Sequence, residues 1–536
     1  MSGLVAHLPV LAVLLPSLTA VLLLLIGDHG GDLHGGHGHR RVLWARRLSL
    51  GSAALGLLLA AWLVRETAAG HLLVYRLGDW PAPFGIVLVV DRLGALMLLL
   101  TALVALPALW YACGGWDVHG RYFHAIFQFQ LMGLAGAFVT GDLFNLFVFF
   151  EVLLIASYVL VVHGLGRERL RAGVHYVVMN LFGSALFLVG LALLYAVTGT
   201  LNMADLALRV PRVAAGEAAP LQAAALLLLV VFGFKAALLP MSMWLPGTYA
   251  AATAPVAALF AIMTKVGVYA IVRVHGVIFG ADAGASAWVV MPVLLPLALA
   301  TCIVGALGAL AAHSLQRLVA WLTVASVGTV LAALALSDAA AWGAALYYMS
   351  HSTLVVAGLF LLSELVAAQR GDAADRLVPA SPVAQPALLG LMLLLAAASV
   401  TGLPPLSGFI GKLMILQAAS AHAQQAAVWS TVLAAGFLTL VGLARAGSVL
   451  FWNVDTSQPR RGASGASPRL VGAALWLLGA GVLMSLGAAP IQRYTDAAAM
   501  QLKDRAGYAR AVLGPQGEAT DSARPYQGRA APGAPR

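Results

Sequence analysis

The sequence predicts an all-α polytopic membrane protein of about fourteen transmembrane helices, with two inverted five-helix repeats and broken helices 7 and 12. Three observations lead there: the apolar composition, the recurrence of span-length apolar runs, and two proline-interrupted runs in matching positions. Of 536 residues, 61% are hydrophobic and only 10% charged, against roughly 45–50% apolar and about 25% charged in soluble domains. An ordinary soluble core is excluded by that balance.

A helix crossing a bilayer needs about 20 mainly apolar residues. Such runs occur at 4–26, 42–64, 86–111, 123–139, 143–163, 171–198, 220–246, 250–279, 286–312, 315–336, 341–368, 386–420, 424–452 and 470–489. The first, His7 to Ile26, has no basic segment before it and no small-residue cleavage site after it, and reads as a retained helix rather than a signal peptide. The seventh contains "FGFKAALLPMSMWLP" (232–246) and the twelfth "TGLPPLSGFIGKL" (401–413), each with two prolines near a lysine. Proline frees a backbone carbonyl, which hydrocarbon cannot satisfy, so both breaks belong in a protein or water interior. Their five-span separation fits repeats made of spans 4–8 and 9–13. An odd number of spans per repeat makes the repeats inverted. The chain then divides into 1–122 (spans 1–3), 123–279 (first repeat), 286–452 (second repeat), 453–490 (a loop and span 14) and 491–536, a flexible tail too poor in apolar residues to bury.

Arginine sets the orientation. Fourteen arginines (40, 41, 46, 47, 121, 167, 169, 171, 317, 370, 376, 460, 461 and 469) lie in or beside the loops that follow odd-numbered spans, and four (65, 76, 209 and 212) on the opposite side. The positive-inside rule therefore puts both termini on the non-cytoplasmic side. The net charge of +10 comes from these loops and the tail, so it reports membrane orientation and not nucleic-acid binding. Cys113 and Cys302 form no CxxC and no Cys/His motif, so no metal or cofactor is expected. The segment "HGGDLHGGHGHRR" (29–41) holds His29, His34, His37 and His39 among glycines with no fixed ligand geometry, and reads as a solvated loop.

Charges inside the spans carry more information, because an ionised side chain at mid-bilayer costs at least about 2.5–3.5 kcal/mol. Glu151, Lys235, Lys265 and Lys412 stand out. The basic residues comprise 27 Arg and 4 Lys, and three of the four lysines are in spans. Arginine cannot give up its proton, whereas burial lowers the proton affinity of a lysine and raises that of a carboxylate. The chain thus places its titratable cations where protons could pass and permanent cations elsewhere. His351 joins them from "YYMSHSTLVVAGLFLLSELV" (347–366), whose Ser350, Ser352 and Thr353 can hold water. His175 and His275 are further relay candidates, though each alone reads as a polar contact between helices. A structural ion pair locking helices together is the competing reading for the whole set. Only one carboxylate, Glu151, is counted as deeply buried, too few for a Na+ site, so protons are expected to run through this chain.

"GDLFNLFVFFEVLLIASYVL" (141–160), residues 232–274 and "LPPLSGFIGKL" (403–413) resemble the large antiporter-like membrane subunits shared by respiratory complex I and the multisubunit Mrp (Mnh/Pha) cation/proton antiporters. "GDLFNLFVFFE" and "TKVGVYAIVR" are most similar to the D-type members of the Mrp assemblies. The resemblance covers spans 3 to 13. It implies that Glu151 pairs with Lys235, that Lys265 bridges the halves and that Lys412 ends the axis. Val355 stands where many relatives carry a lysine four residues after the helix-11 histidine. The resemblance further implies a multi-pass protein of the bacterial plasma (inner) membrane that works with other subunits, with protons, monovalent cations (Na+ or K+) and membrane lipid, as a secondary transporter subunit and not an enzyme. The alternative is a proton-pumping subunit of an NADH:quinone oxidoreductase or membrane hydrogenase. A long lateral helix after span 14 would favour that alternative, and the short Pro/Gly-rich end counts against it.

The arginine distribution makes a direct prediction. A reporter fused after Arg169 should behave as cytoplasmic and one fused after Arg209 as external; the opposite pattern would refute the span count and the inverted repeats together.

Overall fold

The computed structural model describes residues 3–27, 36–80, 82–455 and 465–514. The chain begins with α1 (Gly3–Ile26) and α2 (Gly36–Ala68), then an antiparallel hairpin of β1 (Leu73–Arg76) and β2 (Val87–Val90), then α3 (Arg92–Ala112). There follow α4 (Phe123–Val139), α5 (Leu143–Val162), α6 (Arg167–Thr198), the short α7 (Met203–Arg209), α8 (Ala219–Ala236), α9 (Trp244–Ala251) and α10 (Ala254–Ile271), which runs on as a π-helical segment, Val272–Ile278. The second half contains α11 (Met291–Ala311), α12 (Leu315–Leu334), α13 (Ala339–Ala367), α14 (Pro386–Thr401), α15 (Ser407–Ala419) and α16 (Gln425–Phe451). The chain closes with α17 (Pro468–Leu486), α18 (Ala488–Lys503) and α19 (Arg505–Leu513). Among the described residues, twelve helical stretches are long and apolar enough to cross a membrane. Adding the short α4 and the α14–α15 pair gives fourteen crossings.

Local chemistry explains where these helices start and stop. Asp91, Asp142, Ser314 and Asp338 precede α3, α5, α12 and α13, and each side chain accepts a hydrogen bond from a first-turn N–H. The two breaks fall where the prolines place them. α8 ends at Ala237 (φ 61°) and α14 at Gly402 (φ 89°), left-handed caps that stop the helix before Pro240 and Pro404.

The two halves share one pattern of neighbours. α4 packs on α5, α5 on α6, α6 on α8 and α9, and α10 on both α8 and α4. α11 on α12, α12 on α13, α13 on α14 and α15, and α16 on α14 and α11 reproduce that pattern one for one. Between the halves stands α10, every residue of which is buried, against α13 and α12. A helix enclosed on all sides, and apolar but for Thr264 and Lys265, makes the central axis of the bundle.

The carboxyl end corrects one expectation. The flexible tail expected from residue 491 is helical as far as Leu513. Thr495, Ala498, Ala499 and Leu502, at i, i+3, i+4 and i+7, form a buried stripe that lets α18 pack on α13 and α3. Small residues in a polar segment gave too weak an apolar signal to show it. Residues 515–536, His29 and His34, and the side chains of His37 and His39, lie outside the described residues.

One buried ion pair ties the axis to the amino-terminal helices. Asp91 caps α3 through Gly94 N–H at 2.8 Å and also accepts two bonds, 2.6 and 2.8 Å, from the Arg273 guanidinium. Burial drives the Asp91 carboxyl up, but Arg273 and the Gly94 N–H outweigh it and hold it below the ordinary carboxylate range. Breaking such a pair from one side strands the other charge, at about 3–5 kcal/mol. Asp91→Asn should therefore lower the unfolding midpoint of the purified protein far more than an Asp91→Leu/Arg273→Leu double variant does. Because the folded carboxyl is depressed, its contribution is present above about pH 3.9 and is lost only as pH falls below that; equal losses in single and double variants would contradict the assignment.

Candidate proton path

α5, α6 and α8 meet around the first charged pair. Glu151 points from α5 toward α6, where Ser184 Oγ donates to its Oε1. Lys235, near the end of α8, donates to Asn180 Oδ1 at 2.8 Å. Asn180 and Ser184 are one helical turn apart and so share a face of α6. Glu151 and Lys235 thus make no direct ion pair, contrary to what the resemblance implies; each is held by a neutral side chain of α6. Asn180 Nδ2 donates to Tyr176 O at 2.8 Å, which turns its oxygen toward the lysine.

Gly267 positions the next cation. Any Cβ there would lie 2.5 Å from Ala236 N and 2.9 Å from the carbonyl carbon of Lys235, so only glycine lets α10 touch the α8 backbone. Two residues earlier is Lys265, wholly buried, whose Nζ has one hydrogen bond among the described residues, a long one of 3.4 Å to Ser326 Oγ on α12.

Ser326 opens onto a cavity of about 20 Å³ also lined by Thr329, His351, Ser352, Lys412 and Thr439. A single water needs about 10–15 Å³ and two to four polar partners, so the space suits one water linking the second half's groups. His351 Nδ1 lies 2.9 Å from Ser407 Oγ, which itself donates to Gly481 O at 2.7 Å. A hydroxyl has one proton, so Ser407 must accept from His351 Nδ1–H, which leaves Nε2 as the lone-pair nitrogen. Gly408 is required here too, since a Cβ would strike Ser399 O and crowd that Nε2. Lys412, half-buried on α15, donates to Val400 O (3.0 Å) and Thr401 O (2.9 Å), carbonyls freed at the end of α14.

The structure therefore brings His351, Lys412 and Ser326, the hydrogen-bond partner of Lys265, around one small cavity, and holds Glu151 and Lys235 on one face of α6. Val355 is not part of the cavity wall; it packs toward Gly481 of α17, and hydroxyls of α12, α13 and α16 line the space instead. His175 is exposed in a vestibule of about 700 Å³ with Arg171, Trp244, Arg317 and Asp375. His275 is enclosed, and neither ring nitrogen has a partner among the described residues. Neither histidine is hydrogen-bonded to the lysines. Sequence reading missed Asn180, Ser184, Ser326 and Ser407, since amides and hydroxyls are cheap in helices and carry no mark of cost. It also misplaced the buried carboxylates: Glu151, expected to be deeply buried, is half-buried, whereas Asp91 and Asp117 are buried and Glu364 has a sealed oxygen.

Cys113, Asp117 and His124 come together with ligand atoms within 4.8 Å of one another. The donor set does not fit a cation, because Arg46 binds both Asp117 oxygens at 2.6 and 2.8 Å and His124 Nε2 approaches one at 3.1 Å. Burial raises the Asp117 carboxyl, and its His124 and Arg46 hydrogen bonds outweigh that and hold it low. The positive charge that a metal would supply is already present as a guanidinium.

Comparison with known proteins agrees with this architecture. Residues 140–439 match the family model described as NADH:quinone oxidoreductase/Mrp antiporter, TM. The chain is 41% identical over 525 residues to a protein of Rhizobium meliloti (strain 1021) named as the D component of a probable K(+)/H(+) antiporter, covering 92% of this chain and 95% of that one. It is 35% identical over 511 residues to the D component of the Na(+)/H(+) antiporter of Bacillus subtilis (strain 168), covering 94% and 99%. Among solved structures, a chain of the Mrp complex from Dietzia sp. DQ12-45-1b superposes with a TM-score of 0.83 at 28% identity, over 96% of this chain and all of that one.

The α6 bridge can be tested without transport. Asn180→Leu removes the acceptor of a buried ammonium, a loss of about 1–3 kcal/mol, and should lower the thermal midpoint of the purified protein. An unchanged midpoint would mean that Lys235 rests on some other group.

Proposed function

Because the chain belongs to the NADH:quinone oxidoreductase/Mrp antiporter family of membrane subunits, we propose that it is the proton-translocating subunit of a multisubunit monovalent cation/proton antiporter. The observation that carries this reading is a succession of hydrogen-bonded titratable groups through the bundle: Glu151 of α5 and Lys235 of α8 held on one face of α6, Lys265 bonded to Ser326, and Ser326, His351 and Lys412 around the water-sized cavity.

In this mechanism Glu151 and Lys235 are a pair held apart. Asn180 and Ser184 supply the hydrogen bonds that each needs while the other is at a distance, so a small shift of α6 or α8 changes their mutual attraction. When Lys235 loses the influence of Glu151, its positive charge acts on Lys265, two residues from the point where α10 touches α8. Lys265 then releases a proton through Ser326 to the cavity water, His351 Nε2 accepts it, and Lys412 Nζ is the last acceptor. Such coupled groups titrate as a unit. The two halves, 123–279 and 286–452, act as inverted repeats of one proton half-path. The large vestibule beside α9 admits water from the cytoplasm toward Trp244, which covers the Lys235 end of α8.

The protein is placed in the bacterial plasma membrane with both termini outside the cytoplasm, works as a transporter subunit and not an enzyme, and depends on partner subunits for the cation (Na+ or K+) step. Relatives named for K+ and for Na+ leave that ion to be measured.

Lys235→Arg separates a relay from a structural charge. Arginine keeps the charge and bonds an amide or carboxylate at least as well, but its proton stays on. Cation-driven pH change in vesicles holding the assembled complex should fall by about a hundredfold or more, with Glu151→Gln impaired likewise. An assembled Lys235→Arg complex running at near-normal rate would overturn the relay.

A further inference from the structure

The mechanism above leaves one buried acid unused. Glu364 lies near the end of α13, on the side where the arginine-rich loops gather. Its Oε1 accepts from Trp116 Nε1, in the turn before α4, while its Oε2 is sealed from solvent and has no hydrogen-bond partner among the described residues. The residue as a whole is only half-buried, so the carboxyl group stands between the outside and a closed interior.

Neighbours from three helices act on it. From α6 comes Arg169, stacked on the Trp116 ring at 5.1 Å and acting on the acid across it. From α3 comes the Tyr111 ring, and from α10 the N–H of Ala254, the first residue of that helix. His163 Nε2 is tied to the Trp116 backbone carbonyl at 2.7 Å and so holds the main chain of that turn. Next to Ala254, Thr253 is 1% exposed and its Oγ1 has no partner among the described residues. Two closed oxygens without partners thus flank the start of α10, where a native interior would place water.

A purely structural acid at this position would spend both oxygens on protein donors, and Arg169 acts on this one by its charge without a hydrogen bond to it. Instead the fold orients one oxygen on Trp116 and sets the other, without a hydrogen-bond partner of good geometry among the described residues, beside the Ala254 N–H at the head of the axis helix. Lys265 lies eleven residues further along that helix, about 16 Å at 1.5 Å per residue, the distance that a file of waters has to cover in the scheme below.

We propose that Glu364 is a further proton-exchange group of the transporter, passing protons between cytoplasmic water and Lys265 along the first turns of α10. This rests on the relay reading of Lys235 and Lys265. The step balances without any co-reactant. The carboxylate takes a proton from cytoplasmic water on its half-exposed side, and rotation of the carboxyl group turns the resulting O–H inward to give that proton to the water file, whose far end protonates the neutral amine of Lys265; transport in the other direction reverses each transfer. Trp116 and Arg169 are positioning residues in this scheme.

The test uses the complete complex in vesicles, with assembly confirmed, and reads cation-driven proton movement across a series of cytoplasmic-side pH values. Glu364→Gln keeps an oxygen for the Trp116 N–H but cannot carry a proton. It should run about tenfold or more slower with a flattened pH profile, and Glu364→Asp should recover much of the rate. A Gln variant with the parental rate and profile would overturn the proposal, and so would a slow Gln variant that Asp does not rescue and whose pH profile is parental, because that marks a packing contact. If Glu364→Gln does not assemble, Trp116→Phe decides: a displaced pH profile supports the proposal and an unchanged one refutes it. Lys235→Arg measured in parallel distinguishes the two failures, since an inactive Lys235→Arg beside a normal Glu364→Gln sinks only the role of Glu364.

Discussion

A charge that has left water must find in protein everything that water supplied, and the bundle is arranged around that constraint. Hydrocarbon offers neither hydrogen bonds nor dielectric screening, so each buried ion here has a side chain or carbonyl assigned to it. The assignments differ in strength, and the difference carries functional meaning. Arg273 has both oxygens of Asp91 and two aromatic rings, Tyr269 and Tyr508, over its guanidinium. Lys265 has one long bond to a hydroxyl. The first arrangement holds a permanent charge in place; the second leaves a titratable one weakly committed.

The broken helices show the same constraint met in two ways. Each leaves carbonyls without intrahelical donors. In the first half a neutral indole answers, Trp244 Nε1 donating to Phe234 O at 3.0 Å. In the second half the donor is Lys412, whose ammonium bonds two carbonyls at the end of α14 and faces the favourable negative end of that helix dipole. The two halves therefore share a packing pattern while differing in chemistry: the titratable group is beside the break in one and is the cap of the break in the other. That asymmetry gives a direction to a structure whose two halves are otherwise alike.

Much of this was legible in the sequence because expense leaves a mark. A lysine or glutamate within an apolar run of twenty stands out, as does a paired proline, and Glu151, Lys235, Lys265, Lys412 and His351 all occupy interior positions or their edge. What could not be read was the neutral framework. Asn180 and Ser184 look like any polar residues in a helix, yet they replace the direct Glu151–Lys235 pair. Glu364 was hidden differently, because it follows a long apolar run near a helix end, where charged residues are ordinary. The amphipathic α18 was hidden by its small buried residues, whose contribution comes from fit against α13 and α3 rather than from hydrophobicity.

The central claim is that the membrane lysines are kept for their protons and not only for their charge. The scarcity of lysine makes this directly observable: three Nζ atoms in the bundle and one on Lys503. Nitrogen NMR on lysine-labelled complex in lipid, with signals assigned by their loss in Lys→Arg variants, distinguishes an ammonium from an amine at each site. The account predicts that Lys235 and Lys265 interconvert between the two forms as pH is varied through the neutral range or as the transported cation is added. Signals that remain those of ammonium ions under every such condition, in a complex that is transporting, would contradict it.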